Sequence, residues 1–193
     1  KKTETADNSV AITAGIDRNG DIYIVDIMRG KYDFPELKQR LIRLNSKWRG
    51  KGLRAMYIED KASGQSILQE LKRESGMSVI PYKVVNDKVA RVNSVLPLIE
   101  GGRVFLPQAS SWLDGFVDEA VTFPNGNHDD QVDALSITLD VLSRTSISVD
   151  AWDLQGDVTQ SLNNTSDFES SFGKSLKLRV SKTLPKWAGW GTL

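Results

Sequence analysis

The stretch Ala55-Met56-Tyr57-Ile58-Glu59-Asp60 has the composition of a short, buried β-strand that ends in two acidic residues. A helix is predicted to follow, since Ser63 can cap its first turn and Gly76 can end it. Residues 78–84 are again strand-like, and residues 87–99 again have a helical pattern. Alternation of strand and helix is typical of chains in which helical crossovers join parallel strands. The sequence therefore predicts an α/β fold.

A hairpin and a helix are predicted ahead of this strand. Residues 9–16 and 21–28 are strand-like, and the turn Asp17-Arg18-Asn19-Gly20 between them contains Asn-Gly, which favours a tight hairpin. Residues 34–48 place apolar side chains at helical spacing, and Pro35 suits a first helical turn.

Composition sets the broad class of the protein. The chain has 193 residues, of which 39% are hydrophobic and 26% charged, as in ordinary globular domains. The absence of cysteine excludes disulfides, thiolate zinc sites and a cysteine nucleophile. No apolar run approaches the roughly 18 residues that span a bilayer, and no signal peptide is visible. The net charge is zero, so binding to nucleic acid would need a local basic patch.

The composition changes toward the C-terminus, where Ser, Thr, Asn and Asp become frequent. We therefore expect one domain over residues 1–144 and a polar C-terminal extension over residues 145–193. Within the extension, residues 176–180 alternate in polarity and are expected to form an edge strand. Trp187 and Trp190 either dock on a partner or cover contacts of the extension itself.

The stretch His128-Asp129-Asp130-Gln131-Val132-Asp133-Ala134 is predicted to open a helix, since turn-forming residues precede it and the apolar-rich residues 135–142 follow. Asp130 and Asp133 are spaced i,i+3, and Asp129 and Asp133 are spaced i,i+4, so these pairs share a face. The helix macrodipole explains one or two acids in a first turn. Three acids at these spacings repel one another unless a cation lies between them, which makes a divalent metal the alternative explanation.

Glu59 and Asp60 are the second acidic feature. Acids at the carboxyl end of a parallel strand lie where α/β folds place their sites, although a solvated strand end is the plain alternative. A strand-end acid together with a helix-start acid cluster is what two divalent metals need for phosphodiester hydrolysis. Oxygen ligands select Mg²⁺ or Mn²⁺ over zinc. The one histidine, His128, is either a ligand or proton carrier at the rim of the site or a helix-entry residue.

Basic residues lie near both acidic features in the sequence. Lys88 and Arg91 are spaced i,i+3 at the start of a predicted helix, Lys83 precedes them, and Lys61 follows Glu59-Asp60. A solvated face is the usual role of such residues. Beside a metal site they are instead candidates to hold the phosphates of DNA.

Five segments after the hairpin resemble the nuclease domain of phage terminase large subunits. They are Arg29-Gly30-Lys31-Tyr32-Asp33-Phe34-Pro35-Glu36-Leu37, Ile58-Glu59-Asp60-Lys61-Ala62-Ser63-Gly64, Asp87-Lys88-Val89-Ala90-Arg91, Gly102-Arg103-Val104-Phe105-Leu106-Pro107 and the stretch from His128 to Ala134. The resemblance covers residues 1–143 and rests on several motifs in the right order.

The resemblance implies a ribonuclease H-like α/β fold, with a mixed central β-sheet flanked by helices on both faces. It implies an endodeoxyribonuclease that hydrolyses phosphodiester bonds with two Mg²⁺ or Mn²⁺ ions and cuts concatemeric viral DNA during packaging into procapsids. The implied partners are double-stranded DNA, the terminase ATPase domain and small subunit, and the portal protein of the procapsid. The implied location is the host cell cytoplasm, at the portal, and not a membrane.

The resemblance also assigns residues. Glu59 matches the second acidic motif of the family, and Asp129, Asp130 and Asp133 occupy the third, with Asp130 ranked first because it shares a face with Asp133. Asp7 matches an acid that follows the first motif. The strand and aspartate of that first motif are expected upstream of residue 1, and no Walker A motif of the ATPase domain is present in this sequence.

Two alternative functions are also compatible with these sequence features. One is a junction-resolving nuclease of the same superfamily, which also has acids at a helix start. The other is a non-catalytic module in which the extension and its tryptophans dock on the portal or another partner.

Overall fold

The computed structural model describes residues 8–74 and 76–149 and the backbone of two later strands. The strands are β1 (Ser9–Ile16), β2 (Ile22–Gly30), β3 (Met56–Glu59), β4 (Val79–Tyr82), β5 (Val104–Pro107), β6 (Thr165–Glu169) and β7 (Lys177–Ser181). The helices are α1 (Phe34–Arg49), α2 (Ala62–Lys72), α3 (Lys88–Glu100), α4 (Leu113–Thr122) and α5 (Asp130–Val149). Asp7, Trp187 and Trp190 lie outside the described residues, as does most of the predicted extension. None of these five helices is long and apolar enough to cross a membrane.

The chain divides into two compact units, each with its own sheet. The first unit comprises Gly30–Asp87 and contains α1, α2 and the two-stranded parallel sheet of β3 and β4. The second comprises Val10–Arg29 and the described chain from Lys88 onward, with a five-stranded sheet in the order β1-β2-β5-β7-β6.

The five-stranded sheet is mixed. β2 pairs with β5 and β5 pairs with β7 in parallel, whereas β6 and β7 are antiparallel. The predicted α/β class with a mixed sheet is therefore confirmed. The expected edge strand over residues 176–180 is wrong in its position, because β7 lies between β5 and β6. Alternating polarity indicates a strand but carries no information about which strands lie beside it.

The predicted hairpin is present, and Asp17 closes its turn. The Asp17 carboxylate accepts hydrogen bonds from the backbone N–H groups of Asn19 and Asp21, both at 2.9 Å. Gly20 follows in the left-handed region with φ of +79°, which favours glycine. The turn places Ile22 at the start of β2, where it is fully buried.

The core of the second unit joins the sheet to three helices. The sheet contributes buried Ile22, Ile24, Ile27, Val104 and Leu106, and the helices contribute Val95 and Ile99 of α3, Phe116 of α4, and Leu135 and Leu139 of α5. Because α3, α4 and α5 all pack into one cluster, their relative positions are set by close-packed apolar side chains. This packing positions the start of α5.

In the first unit, α1 and α2 pack together beside the small sheet. Asp33 caps α1 by accepting a hydrogen bond from the backbone N–H of Glu36 at 2.9 Å. Leu41 and Trp48 of α1 are buried, as is Leu71 of α2. The ammonium of Lys38 joins the two helices through Glu70 of α2 and Glu74 just beyond it, at 2.9 and 3.1 Å.

The prediction that Ser63 caps α2 is wrong. The helix begins at Ala62, and its N-cap is Lys61, whose backbone is extended and whose side chain makes no capping hydrogen bond. The carbonyl of Lys61 accepts hydrogen bonds from the N–H groups of Gly64 and Gln65, at 2.8 and 3.0 Å, which starts the helix two residues before the expected point.

We expect Phe116→Ala to lower the free energy of unfolding by about 3–5 kcal/mol, because Phe116 is fully buried and its removal leaves a cavity in the shared core. Urea unfolding followed by circular dichroism measures the change. Phe34→Ala is the matched control, since Phe34 is 42% exposed. Equal effects of the two substitutions would contradict the described core.

Candidate active site

The predicted helix over the acidic stretch is α5, and its first residue is Asp130. Asp133 also lies in the first turn, and its backbone N–H donates to the carbonyl of Asp129 at 2.9 Å. Asp130 and Asp133 are half-buried, and the Asp129 side chain is 44% exposed. The helix start therefore presents carboxylates that are covered only in part.

Two cations of α3 reach the acids of α5. The ammonium of Lys88 lies 2.7 Å from Asp129 Oδ1 and 3.6 Å from Asp133 Oδ2. The guanidinium of Arg91 forms an ion pair with Asp133 Oδ1, and its Nε lies 3.4 Å from Ser136 Oγ. The positive charge that the acid spacing requires is thus supplied, in this structure, by Lys88 and Arg91.

The environment of Lys88 raises its pKa. Burial acts in the opposite direction and lowers the pKa, but the hydrogen bond to Asp129 and the charges of Asp133 and Asp129 together outweigh it. Lys88 therefore stays protonated throughout the neutral range and remains a permanent counter-charge to the two aspartates.

Arg91 is in the interior of the second unit, with only 7% of its surface exposed. From its sequence position Arg91, like Lys88, is a candidate for contacting DNA. The structure directs its guanidinium to Asp133 and Ser136, whereas the Lys88 side chain remains 31% exposed. Of the two, Lys88 is the one with surface available to a ligand.

Glu119 is a buried residue of α4 whose carboxylate contacts the first turn of α5. Its role was not predicted from the sequence. Its Oε1 accepts from the backbone N–H of Gln131 at 2.5 Å, and its Oε2 accepts from the Gln131 side-chain amide at 2.8 Å. Arg29, near the end of β2, lies 3.2 Å from the same Oε2. Glu119 therefore satisfies an N–H group of the first helical turn, which has no partner within the helix, and links three elements.

The sequence did contain a signal for Glu119. It falls three residues after Phe116 and four before Phe123, and both phenylalanines are buried. An acid among the apolar residues of a helix becomes buried, and a buried acid needs a hydrogen-bond donor or a cation as its partner. The buried Gln131 is that partner.

Glu59 lies at the carboxyl end of β3, as predicted. Its Oε1 is covered from solvent, accepts no hydrogen bond, and lies 2.7 Å from the ammonium of Lys61, an ion-pair distance. The oxygen thus keeps lone pairs without a hydrogen-bond donor. A covered carboxylate oxygen of this kind fits a cation ligand.

Gly64 allows α2 to approach this strand end closely. A Cβ added at Gly64 would lie 2.3 Å from the backbone carbonyl oxygen of Glu59. No side chain fits there without moving either the helix or the strand end. Gly64 therefore keeps the first turn of α2 against the residue that bears the predicted ligand.

The remaining predicted residues lie on the surface. Lys61 has a side chain that is 56% exposed, and Lys83 and His128 are also exposed. Lys61 and Lys83 belong to the first unit with Glu59, whereas His128 belongs to the second with the three aspartates.

The donor chemistry fits a hard divalent cation. Glu59, Asp129, Asp130 and Asp133 offer carboxylate oxygens, which suit Mg²⁺ or Mn²⁺, and Glu59 Oε1 has no hydrogen-bond donor. Among the described residues, no group of three or more Asp, Glu or His side chains is gathered as a complete metal site. The carboxylates named above could hold a metal, and Asp129 and Asp133 of the second unit are now paired with lysine and arginine.

The structure thus has an α/β fold with a mixed sheet, an acid at the end of β3 and acids at the start of α5. The family model for the terminase RNaseH-like domain matches residues 1–140 of the chain. The chain therefore belongs to the terminase RNaseH-like domain family, which confirms the resemblance and the predicted fold. No curated protein matches the sequence.

We expect Glu119→Ala to destabilise the protein by about 1–3 kcal/mol, because it leaves the buried N–H and amide groups of Gln131 without an acceptor. Thermal and urea unfolding measure the effect. Asp118→Ala is the control, since Asp118 is an exposed acid on the same helix. A destabilisation no larger than that of the control would show that the network does not hold the start of α5.

We expect Gly64→Ala to destabilise the protein even though alanine is the better helix former by about 1 kcal/mol. The reason is the contact of the new Cβ with the Glu59 carbonyl. Gly115→Ala in α4 is the opposite control, because a Cβ there meets nothing within 4 Å. The two substitutions should differ in sign in urea unfolding, and stabilisation by both would refute the close approach of α2.

Proposed function

We propose that this domain is a metal-dependent DNA endonuclease that cuts concatemeric double-stranded DNA during the packaging of a viral genome into procapsids. Membership of the terminase RNaseH-like family supports a nuclease role. The observation that carries the metal-dependent part is Glu59 Oε1, a covered carboxylate oxygen without a hydrogen-bond donor at the carboxyl end of a parallel strand.

Glu59, Asp129, Asp130 and Asp133 are the proposed ligands of two Mg²⁺ or Mn²⁺ ions, and Asp7 and His128 are further candidate ligands. When bound, the ions supply Lewis-acid stabilisation of the phosphate and activation of the attacking water. Hydrolysis joins the water oxygen to phosphorus while the bond from phosphorus to a sugar oxygen breaks. In this chain, Lys88 and Arg91 hold the carboxylate of Asp133 in place.

Exposed lysines are the proposed contacts to the DNA backbone. Lys61 and Lys83 lie on the first unit, and the part-exposed Lys88 lies beside Asp129 on the second. Arg91 was predicted to join them, and its burial favours a role through Asp133 instead. Phosphate contacts of this kind position DNA without reading its sequence.

We propose further partners from the resemblance to phage terminase large subunits. We expect the domain to act with a terminase ATPase domain and small subunit and with the portal protein of the procapsid, in the host cell cytoplasm. Binding of purified procapsids by the full-length protein, measured by co-sedimentation, tests this assignment. Absence of binding in the presence of the ATPase domain and small subunit would refute it.

Nicking of supercoiled plasmid by the full-length protein tests the nuclease assignment. Mn²⁺ or Mg²⁺ should support nicking and EDTA should abolish it. Glu59→Ala and Asp133→Ala should each lower the rate by more than about 100-fold, since removing outer-shell partners of metals alone costs about 10–100-fold. The exposed Asp118→Ala serves as a control that retains the wild-type rate.

Full activity of Glu59→Ala, or nicking that persists in EDTA, would overturn the metal-dependent mechanism. Titration of Mn²⁺ by electron paramagnetic resonance gives a second measurement. Each substitution should weaken Mn²⁺ binding relative to Asp118→Ala in the absence of DNA.

A further inference from the structure

One segment of this chain is strongly basic, although the net charge of the chain is zero. From Leu37 to Arg54 the sequence has no aspartate or glutamate. Its basic residues there are Lys38, Arg40, Arg43, Lys47, Arg49, Lys51 and Arg54. A segment so one-sided in sign, within a neutral chain, creates a local positive potential.

Five of these seven residues are exposed. Lys38 is engaged with Glu70 and Glu74, and Arg40 with Glu36. The side chains exposed at the C-terminal half of α1 and in the turn that follows include Arg43, Lys47, Lys51 and Arg54. We name these four residues the α1 basic patch.

The buried Trp48 organises the centre of the patch. The ammonium groups of Lys47 and Lys51 lie 5.2 and 5.0 Å from the centroid of its ring. Cation–π attraction therefore holds two positive charges beside the same indole. Arg43 lies one helical turn before Lys47, on the same face of α1.

The turn after α1 is ordered, so that Lys51 has a defined place. The Trp48 carbonyl accepts from the N–H groups of Lys51 and Leu53 at 2.9 and 3.1 Å, and the Arg49 carbonyl accepts from Gly52 at 3.3 Å. Gly52 has a φ of +95°, which favours glycine and lets the chain fold back on the helix end. The patch is thus part of a hydrogen-bonded helix end and not of a loose loop.

We propose that the α1 basic patch binds the phosphate backbone of duplex DNA and so acts as a second contact surface for the substrate of the proposed nuclease. This inference rests on the proposed function for the identity of the polyanion. Arg43 and Lys47 lie about 6 Å apart along the helix axis, a distance over which the two strands of duplex DNA together present roughly three to four phosphate charges. The patch is thus opposite in sign to a densely charged backbone, and no base-reading group is needed.

The test removes three charges of the patch and leaves the predicted metal ligands intact. Arg43→Gln, Lys47→Gln and Lys51→Gln are combined in one variant, since glutamine keeps the helix propensity. Fluorescence anisotropy measures the Kd for a short labelled duplex in EDTA, across a series of salt concentrations. We expect affinity to fall by about tenfold or more at low salt. The slope of log K against log salt should become shallower by about 0.9 for each phosphate that the protein no longer neutralises.

A second variant with the same net charge is the control. It combines Lys72→Gln, Arg73→Gln and Arg144→Gln, three exposed basic residues outside the patch. Equal Kd values and slopes for the two variants would overturn the proposal and leave the patch as a solvated face or as a surface for an acidic protein. Because binding is measured without divalent metal, this outcome is distinct from failure of the nuclease assignment, which the plasmid assay reports.

Discussion

The ion pair between Arg91 of α3 and Asp133 of α5 is the interaction on which the arrangement of the acidic helix start depends. Arg91 is spaced four and eight residues from Val95 and Ile99, so it continues the apolar stripe by which α3 enters the core. Asp133 precedes the buried Ser136 of α5 by three residues, a spacing that places both on one face of the helix. The charged contact is therefore positioned by the packing of both helices, and removal of Asp133 would take away the acid that pairs with the buried guanidinium of Arg91.

The start of α5 is held from a second side by Glu119. That carboxylate, on the core-facing side of α4, accepts from both the backbone and the side chain of Gln131. Glu119 accepts hydrogen bonds from the first turn of α5, and Arg91 binds Asp133 of the same turn. Together these two contacts fix the direction in which the helix begins. Apolar packing sets the position of α5, and the directional bonds from Arg91 and Glu119 add a second constraint on its rotation.

Much of the fold could be predicted from the sequence because its signals are local. The Asn19-Gly20 turn, the helix from Phe34 and the acidic opening of α5 each depend on a few neighbouring residues, and each was found. The place of β7 could not be predicted, since strand order depends on long-range pairing that no local pattern encodes. The start of α2 was misplaced for a similar reason: the close approach of Gly64 to the carbonyl of Glu59 is invisible in sequence.

In the candidate site, too, some residues could be predicted from local sequence and others could not. The positions of Glu59 at a strand end and of Asp130 at a helix start followed from local sequence. The burial of Arg91 and the role of Glu119 did not, because a charged residue on an apolar stripe finds its partner only through tertiary packing. Both residues nevertheless stand where a helical pattern calls for an apolar side chain, at spacings of three or four from buried neighbours. Charged residues that interrupt a core-facing stripe are thus the signal by which sequence could have located them.

Acids of the candidate site in both units are paired with lysines. Lys61 lies at Glu59 and Lys88 lies at Asp129, and both lysine side chains are partly exposed. A ligand can therefore reach both lysines, and Lys88, whose pKa is raised by this pairing, stays protonated there. Arg91 differs because it is buried and also contacts Ser136. Exposure therefore separates the two lysines, which a ligand can reach, from Arg91, which keeps Asp133 in place.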